Sequence, residues 1–396
     1  MPNENHHVGW SCGLKLKSAL SWWRASYFLL IVSSFCVTTV LVVLHGLEHC
    51  CTGKFRAEFA HVTPNFLFIT VKTTAANHRT RLKILLETWI KCALRVKTSS
   101  NELPVVSAIA VVSDGPLQLD LAKNVYCQAE HDSVLLQSNN TKRQFLTWQC
   151  LPALNSSQVF FNNASFCGVG HYAQSLMCKL QEELRMYFKI PKTLPAWFCH
   201  FDDDTYVNIP NLIVSLAALG DPHTLPIFVG KSPPRLTDGY NTSLHLLRWK
   251  NHHRMVTFAN GPAYCMSHRL MRKMEKTILQ DRHVFNLAKF ARRVDPGVGD
   301  DVILSIYISE ILGVPLTQMP TMYSTLDNLT LLRKTDIDHA VTLSHSSNNT
   351  FILPDSKLTS PDIISQFRLL NTFVGAHDWQ RNFINLFNKT FPKMNS

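Results

Sequence analysis

From Pro64 onward, short apolar runs alternate with segments of helical periodicity. The apolar runs predict buried strands at 65–72, 104–113, 197–201 and 227–230. Apolar positions at helical spacing predict helices at 77–95, 174–188, 209–219 and 302–312. In the first of these helices one face carries Leu82, Leu85, Leu86 and Trp89. This alternation is typical of an α/β fold, in which helices flank a mostly parallel sheet.

Three of the predicted strands end in polar or charged clusters, namely Lys72-Thr73-Thr74, Ser113-Asp114-Gly115 and Asp202-Asp203-Asp204. Ligands of open α/β sheets bind beyond the carboxyl ends of the strands. The sequence therefore predicts a nucleotide cleft lined by these three ends. The hydroxyls of Thr73 and Thr74, the start of the following helix and the nearby Arg79 would suit a phosphate group.

Two groups of adjacent carboxylates are candidates for chemistry. Asp202, Asp203 and Asp204 repel one another, and a bound divalent cation such as Mg²⁺ or Mn²⁺ would offset the repulsion. The alternative is an exposed acidic turn that leads into the next helix. Asp300 and Asp301 open a later helix, where one of them could take a proton from an acceptor hydroxyl or could merely cap the helix. The residues alone leave these alternatives open.

The amino-terminal part predicts a membrane anchor. Residues 27–44 contain no charged residue and are just long enough to span a bilayer. Lys15, Lys17 and Arg24 precede them, so the positive-inside rule places the amino terminus in the cytoplasm. A cleaved signal peptide is the alternative, but no small-residue cleavage site clearly follows. We expect a cytoplasmic tail at 1–26, a signal anchor at 27–44, a stem at 45–63, a lumenal domain at 64–352 and an extension at 353–396.

Composition agrees with a secretory compartment. The net charge is +11, but the basic residues are scattered, which argues against nucleic-acid binding. Seven Asn-x-Ser/Thr sequons and nine of the eleven cysteines lie beyond the anchor. Cys50 and Cys51 are candidates for a disulfide-linked dimer. The polar residues 127–165 predict a surface insertion, in which Cys127 and Cys150 are candidates to pair with each other.

Several blocks, in the same order, resemble the Fringe family of β-1,3-N-acetylglucosaminyltransferases. The blocks are VKTTAANHRTRLKILLETWI at 71–90, WFCHFDDDTYVN at 197–208, LGVPL at 312–316 and LDNL at 326–329. The resemblance implies a GT-A fold, a UDP-sugar donor, UDP-GlcNAc in that family, and a divalent metal, usually Mn²⁺. It also implies a single-pass type II protein of the Golgi membrane. Its reaction would transfer GlcNAc to fucose O-linked on the EGF-like repeats of Notch-type glycoproteins.

Carried over position by position, the resemblance implies roles for individual residues. Asp204 would bind the metal and Asp203 the donor nucleotide, beside Asp202 and Asp300, while Asp301 would be the catalytic base. Asn260 and Gly261 would line the donor or acceptor sugar, where a missing side chain permits close approach. The resemblance also implies two disulfides, Cys167–Cys178 and Cys199–Cys265.

The chain departs from the family at the metal site. Fringe proteins carry Phe-His-Ser-His, one histidine of which completes the metal site, where this chain has Met322-Tyr323-Ser324-Thr325. His339 and His345 are nearby candidates to replace it. Two alternative functions follow: a core-1-type β-1,3-galactosyltransferase that acts on O-GalNAc, and an inactive pseudotransferase that binds glycoproteins. The block at 71–90 favours Fringe over the first, and the retained carboxylates argue against the second.

Overall fold

The computed structural model describes residues 62–94, 96, 104–118, 125–126, 149–150, 158–170, 172–233, 244–249, 252–280, 286–294, 297–345 and 363–376. The predicted anchor at 27–44 lies outside these residues, as do Cys50, Cys51 and Cys127. Within the described ranges, no helix is long and apolar enough to cross a membrane.

The strands, in chain order, are β1 (Leu67–Thr73), β2 (Val106–Ser113), β3 (Val125–Tyr126), β4 (Gln149–Cys150), β5 (Val159–Asn163), β6 (Trp197–Asp202), β7 (Thr205–Val207), β8 (Phe228–Gly230), β9 (Leu244–Trp249), β10 (His252–Thr257), β11 (Ala263–Ser267), β12 (Leu316–Gln318), β13 (Met322–Tyr323) and β14 (Thr342–Ser344). Nine of them form one sheet in the order β12-β8-β11-β6-β1-β2-β5-β4-β3. A β9–β10 hairpin and a small sheet, β13-β14-β7, lie beside it.

The centre of the large sheet is parallel. Strands β6, β1, β2 and β5 are neighbours that run in the same direction, whereas β11 is antiparallel to both β6 and β8. The prediction of a mostly parallel sheet with flanking helices is confirmed. Each of the four predicted strands is present, as β1, β2, β6 and β8.

The helices are α1 (Lys83–Glu87), α2 (Trp89–Ala93), α3 (Ala173–Lys189), α4 (Ile209–Ala217), α5 (His268–Leu279), α6 (Leu287–Val294), α7 (Asp300–Ile306), α8 (Lys334–His339) and α9 (Ile363–Ala376). Tighter or wider helical turns form Ala75–Asn77, His78–Leu82, Ser165–Cys167, Tyr307–Ile311 and Leu329–Leu331. Buried apolar side chains fill both faces of the sheet, because successive residues of a strand point to opposite faces. In β1, Ile69 joins one apolar cluster and Phe68 the other.

The single helix predicted at 77–95 is wrong. The segment divides into a turn at His78–Leu82 and the short helices α1 and α2, with a break at Thr88. The Thr88 hydroxyl donates a hydrogen bond to the carbonyl oxygen of Ile84 (2.6 Å), a side-chain bond of the kind that often bends helices. The predicted apolar face is confirmed, because the four side chains assigned to it are buried in the core.

Two other ranges differ from the sequence prediction. Strand β5 lies within the predicted surface insertion at 127–165, yet it pairs with β2, and its Val159 and Phe161 are buried. This part of the range is therefore sheet. Helix α9 lies within the predicted extension at 353–396, and its Phe367 and Leu370 belong to the core.

Both disulfides implied by the family resemblance are present. Cys167–Cys178 joins the turn before α3 to that helix, with a Cα–Cα distance of 5.4 Å. Cys199–Cys265 joins β6 to β11, where the two residues lie directly opposite each other. The strand that carries the acidic triplet is therefore tied covalently to the strand that follows Asn260 and Gly261.

Candidate active site

The carboxyl ends of β2, β1 and β6 meet at one edge of the sheet, as predicted. The Thr73 hydroxyl donates a hydrogen bond to Asp203 (2.6 Å), and the backbone N–H of Ala75 donates to Asp114 (2.9 Å). The Lys72 ammonium lies 3.4 Å from an Asp202 oxygen. The three predicted strand ends therefore lie together and are joined by direct contacts.

Asp203 is buried and fully engaged. Besides the Thr73 hydroxyl, it accepts hydrogen bonds from the side chains of Asn77 (2.9 Å) and Arg81 (3.1 Å). The same Arg81 nitrogen lies 3.4 Å from an Asp204 oxygen. Asp203 thus fixes the turn after β1 against the acidic triplet, and Arg81 provides positive charge between two of its carboxylates.

Asp204 is the member of the triplet that lacks full compensation. Its Oδ1 atom is buried and has no hydrogen-bond partner. Burial, together with the neighbouring carboxylates Asp202 and Asp203, raises the pKa of Asp204 to about 7. An unpartnered oxygen in a region of excess negative charge suits a divalent cation. In the described part of the chain, no three His, Cys, Asp or Glu side chains form a complete metal cage.

Lys72 connects the two groups of carboxylates. It is buried, and its ammonium donates to Asp300 (2.9 Å) while facing Asp202. Burial opposes its charge, but Asp202, Asp300 and Glu183 outweigh that effect and hold the pKa of Lys72 well above its ordinary value. One cation therefore brings the start of α7 to the end of β6.

His200 and Glu183 form a second buried ion pair near Lys72. His200 Nδ1 is 2.7 Å from a Glu183 oxygen, and its Nε2 faces Asp202 at 3.4 Å. Burial alone would lower the pKa of His200, but the Glu183 carboxylate reverses this and raises it to about 9. The protonated imidazole therefore places a positive charge beside Asp202, while Glu183 balances that charge.

Asp301 lies at the start of α7, where two glycines allow close approach. A methyl group on Gly299 would lie 2.7 Å from one carboxylate oxygen of Asp301, and a methyl group on Gly261 would lie 3.2 Å from the other. Burial and the adjacent Asp300 raise the pKa of Asp301 to about 6. Gly299 occupies the N-cap position, and Asp300 binds Lys72. Asp301 Oδ1 accepts a hydrogen bond from the backbone N–H of Val302 (2.8 Å), so the capping role considered above holds in part for Asp301.

The segment around Gly261 joins the two carboxylate groups. The Asn260 amide donates to the Ser324 hydroxyl, and the Pro262 carbonyl accepts a hydrogen bond from the backbone N–H of Asp202 (3.1 Å). Gly261, between them, approaches Asp301. The predicted location of Asn260 and Gly261 beside the site is consistent with this geometry.

The predicted phosphate donors are used differently. The N–H of Ala75 and the hydroxyl of Thr73 already bond protein carboxylates, so they do not point to a free ligand position. Arg79 lies on the exposed side and donates to the Gln118 carbonyl (3.3 Å). Asp114 is buried against Lys179 (3.3 Å). The turn after β1 is therefore held by internal anions, and Thr74 contributes its carbonyl to that turn.

The sequence analysis did not predict which cations pair with the carboxylates of the site: Lys72, Arg81, Lys179 and His200. A signal was available, because three adjacent buried carboxylates require nearby positive charge. Lys72 and His200 also interrupt otherwise apolar strands, where a charged residue is rarely buried without a partner.

The segment at the position of the family's histidines has its own contacts. The Lys231 ammonium lies 4.3 Å from the centre of the Tyr323 ring and 2.6 Å from Asp327. Of the two candidate replacements, His339 bonds the Thr335 carbonyl within its own helix (2.6 Å). His345 donates its backbone N–H to the carbonyl oxygen of Asp204 (2.7 Å).

Comparison with known proteins identifies relatives of this chain. The Fringe-like family model matches residues 62–108 and 136–358. The chain is 30% identical to the chicken β-1,3-N-acetylglucosaminyltransferase lunatic fringe over 285 residues, which cover 72% of this chain and 62% of that protein. It is 26% identical to the Drosophila Fringe glycosyltransferase over 289 residues, which cover 71% and 54%. The match thus spans little more than half of the length of these relatives.

A weaker structural likeness is to a solved galactosyltransferase, LgtC, in complex with donor and acceptor sugar analogues. The TM-score is 0.41 and the identity 10%, over 80% of this chain and 99% of that one. The family assignment therefore rests on the sequence matches.

Proposed function

Because this chain belongs to the Fringe-like family, we propose that it is a β-1,3-N-acetylglucosaminyltransferase that moves GlcNAc from UDP-GlcNAc to O-linked fucose on EGF-like repeats. The observation that carries this proposal is the joining of two carboxylate groups by one buried lysine. Lys72 bonds Asp300, the neighbour of the proposed base Asp301, and faces Asp202 in the triplet that would serve the donor.

In the proposed reaction, Asp301 takes the proton of the fucose hydroxyl as its oxygen attacks the anomeric carbon of GlcNAc. A carbon–oxygen bond forms on one face of the sugar, and the bond from the anomeric carbon to the diphosphate breaks on the other. UDP leaves, and the configuration at the anomeric carbon is inverted. A pKa of about 6 keeps Asp301 mostly ionised at neutral pH, as a base requires.

The other site residues would hold the donor and the base in place. Asp203, fixed by Thr73, Asn77 and Arg81, would position the nucleotide. Gly261, which approaches Asp301 closely, would line the sugar. Asp204 is suited to hold a divalent cation, because its buried oxygen lacks a partner. Such a cation, Mn²⁺ in our proposal, would neutralise charge on the departing diphosphate.

One observation favours a second candidate, a pseudotransferase that binds glycoproteins. Tyr323 and Thr325 replace the family's histidines, and the Tyr323 ring is engaged by Lys231. A weakened metal site would leave a binding protein with the same fold. The pKa of Asp301, raised to about 6, favours the enzyme, because a carboxylate with this pKa can accept a proton near neutral pH.

For the setting, we propose a type II Golgi membrane protein whose anchor lies at 27–44, with Notch-type glycoproteins as acceptors. The sequons and the two disulfides support an oxidising lumen. A disulfide-linked dimer through Cys50 or Cys51 remains part of this proposal.

The test uses the full-length chain purified in detergent. UDP-GlcNAc or UDP-galactose is supplied with Mn²⁺ and either an O-fucosylated EGF-like repeat or an O-GalNAc peptide, and products are measured by mass spectrometry. We expect a GlcNAc adduct on fucose. A galactose adduct on O-GalNAc would replace this proposal by the core-1-type alternative, and folded protein with no transfer in any combination would support the pseudotransferase.

A further inference from the structure

The contacts of strand β14 point to His345 as the second protein ligand of a divalent cation at Asp204. We propose that this histidine replaces the one that Fringe proteins carry where this chain has Tyr323 and Thr325. The inference rests on the proposed function, because the diphosphate of a nucleotide sugar would supply the other oxygen ligands.

The pairing of two short strands places the residues opposite each other. Strands β14 and β7 are antiparallel, with Thr342 opposite Val207 and Ser344 opposite Thr205. One further step along this register brings His345 opposite Asp204. The hydrogen bond from the His345 N–H to the Asp204 carbonyl (2.7 Å) shows that the pairing continues for that step.

Residues directly opposite each other in an antiparallel pair project to the same face, with Cβ atoms about 4.5–5.5 Å apart. The preceding pair obeys this rule, because the hydroxyls of Thr205 and Ser344 lie 2.8 Å apart. The next pair is Asp204, in the turn before β7, and His345, whose backbones are joined by the hydrogen bond given above. The side chains of a carboxylate and an imidazole therefore begin from adjacent points on one face.

That face is both buried and negatively charged. His345 is only 7% exposed, and the Oδ1 atom of Asp204 is buried without a hydrogen-bond partner. Asp202 and Asp203 add negative charge, and Arg81 lies 3.4 Å from Oδ2, the other carboxylate oxygen of Asp204. Imidazole and carboxylate together are ligands that Mn²⁺ accepts. Two protein ligands, diphosphate oxygens and water would complete its coordination.

The two neighbouring candidates have contacts of their own. The ring of Tyr323 packs against Lys231, and the His339 ring bonds the Thr335 carbonyl of its own helix. His339 therefore serves as a matched control for His345: the same residue type, close in sequence, with a different local contact.

The experiment measures Mn²⁺ binding by the full-length protein in the presence of UDP, from the loss of the electron paramagnetic resonance signal of free Mn²⁺. We expect His345→Ala to weaken binding by at least about tenfold, since even outer-sphere partners of metal ligands contribute that much. Asp204→Ala should weaken it likewise, whereas His339→Ala should leave it unchanged. His345→Asp, which restores an oxygen ligand, should recover part of the affinity.

Thermal melting of each variant is measured alongside, and His345→Gln takes the place of His345→Ala if the latter does not fold. Equal Mn²⁺ affinity in wild type and folded His345 variants would overturn the assignment. Sugar transfer without Mn²⁺ binding would also overturn it while leaving the proposed function intact. By contrast, wild-type protein that binds Mn²⁺ and UDP but transfers no sugar would contradict the proposed function and leave the metal site standing.

Discussion

Two properties of Asp301 suit a catalytic base, a raised pKa and a place between the closely approaching Gly261 and Gly299. We predict that Asp301→Asn lowers the rate of sugar transfer by about 10²–10⁴-fold, because an amide cannot accept the acceptor proton. UDP binding, measured by calorimetry, should be retained. Comparable loss of both would indicate that Asp301 holds the donor instead.

The raised pKa of Asp301 predicts how the rate of sugar transfer depends on pH. Transfer should fall as the pH drops through about 6, because protonation of Asp301 removes its capacity to accept a proton. The profile is measured as kcat/KM from pH 5 to 8 at saturating Mn²⁺, so that titration of Asp204, whose pKa is raised to about 7, does not dominate. A profile flat down to pH 5 would contradict the assignment of Asp301 as base.

The buried ion pairs of Lys72 predict that its substitution destabilises the fold. Removing its charge in Lys72→Met leaves Asp202 and Asp300 without their shared cation, and we expect a loss of about 3–5 kcal/mol in the free energy of unfolding. Chemical denaturation measures this change. Lys83→Met is the matched control, because its exposed pair with Glu87 (3.9 Å) should contribute less than about 1 kcal/mol. Equal effects of the two substitutions would contradict the role of Lys72.

At the scale of elements, the start of α7 is shaped by its glycine. The backbone of Gly299 (φ −58°, ψ 154°) is open to any residue, so glycine is required there by contact with Asp301 and not by conformation. Gly299→Ala should displace the carboxylate and lower kcat by about 10²-fold. The measurement is the steady-state rate at saturating donor and acceptor.

Gly313→Ala is the control for this substitution. Gly313 has a positive φ of 67°, and a methyl group there would meet nothing within 4 Å. This variant should therefore lose about 1–2 kcal/mol of stability through backbone strain and keep its kcat. A similar loss of kcat in both variants would show that general destabilisation, and not the displaced base, explains the effect.

The elements differ in how far the sequence predicts them. Strands β1, β2 and β6 follow from mainly apolar runs, and their parallel arrangement brings their ends together. The break at Thr88 depends on one hydroxyl that bonds Ile84, which the apolar spacing does not reveal. The sequence around helix α9 shows only weak helical periodicity, so it does not reveal that this helix packs into the core.

At the scale of the whole molecule, the sequence identifies the site but not the contacts that balance its charge. Asp203 and Asp301 are suggested by adjacent carboxylates, whereas Lys72 and Asp300 meet across 228 positions of chain. Such pairings depend on the complete sheet, since helix α7 must pack against it before the lysine has a partner. For the same reason, the pairing of His345 with Asp204 emerges only from the register of β14 and β7.

The compartment is also a property of the whole molecule, and two sequons in the described residues provide a test of it. Asn163 and Asn328 are exposed, so both are accessible to glycosylation if the domain lies in the secretory lumen. For the chain expressed in mammalian cells, Asn163→Gln and Ser165→Ala should each remove one glycan. Ser165→Thr should retain it, because the sequon is preserved. Gel mobility before and after glycosidase treatment measures the change. Identical mobility of all variants and the wild type, with no response to the glycosidase, would contradict a lumenal location and with it the access of this site to secretory glycoproteins.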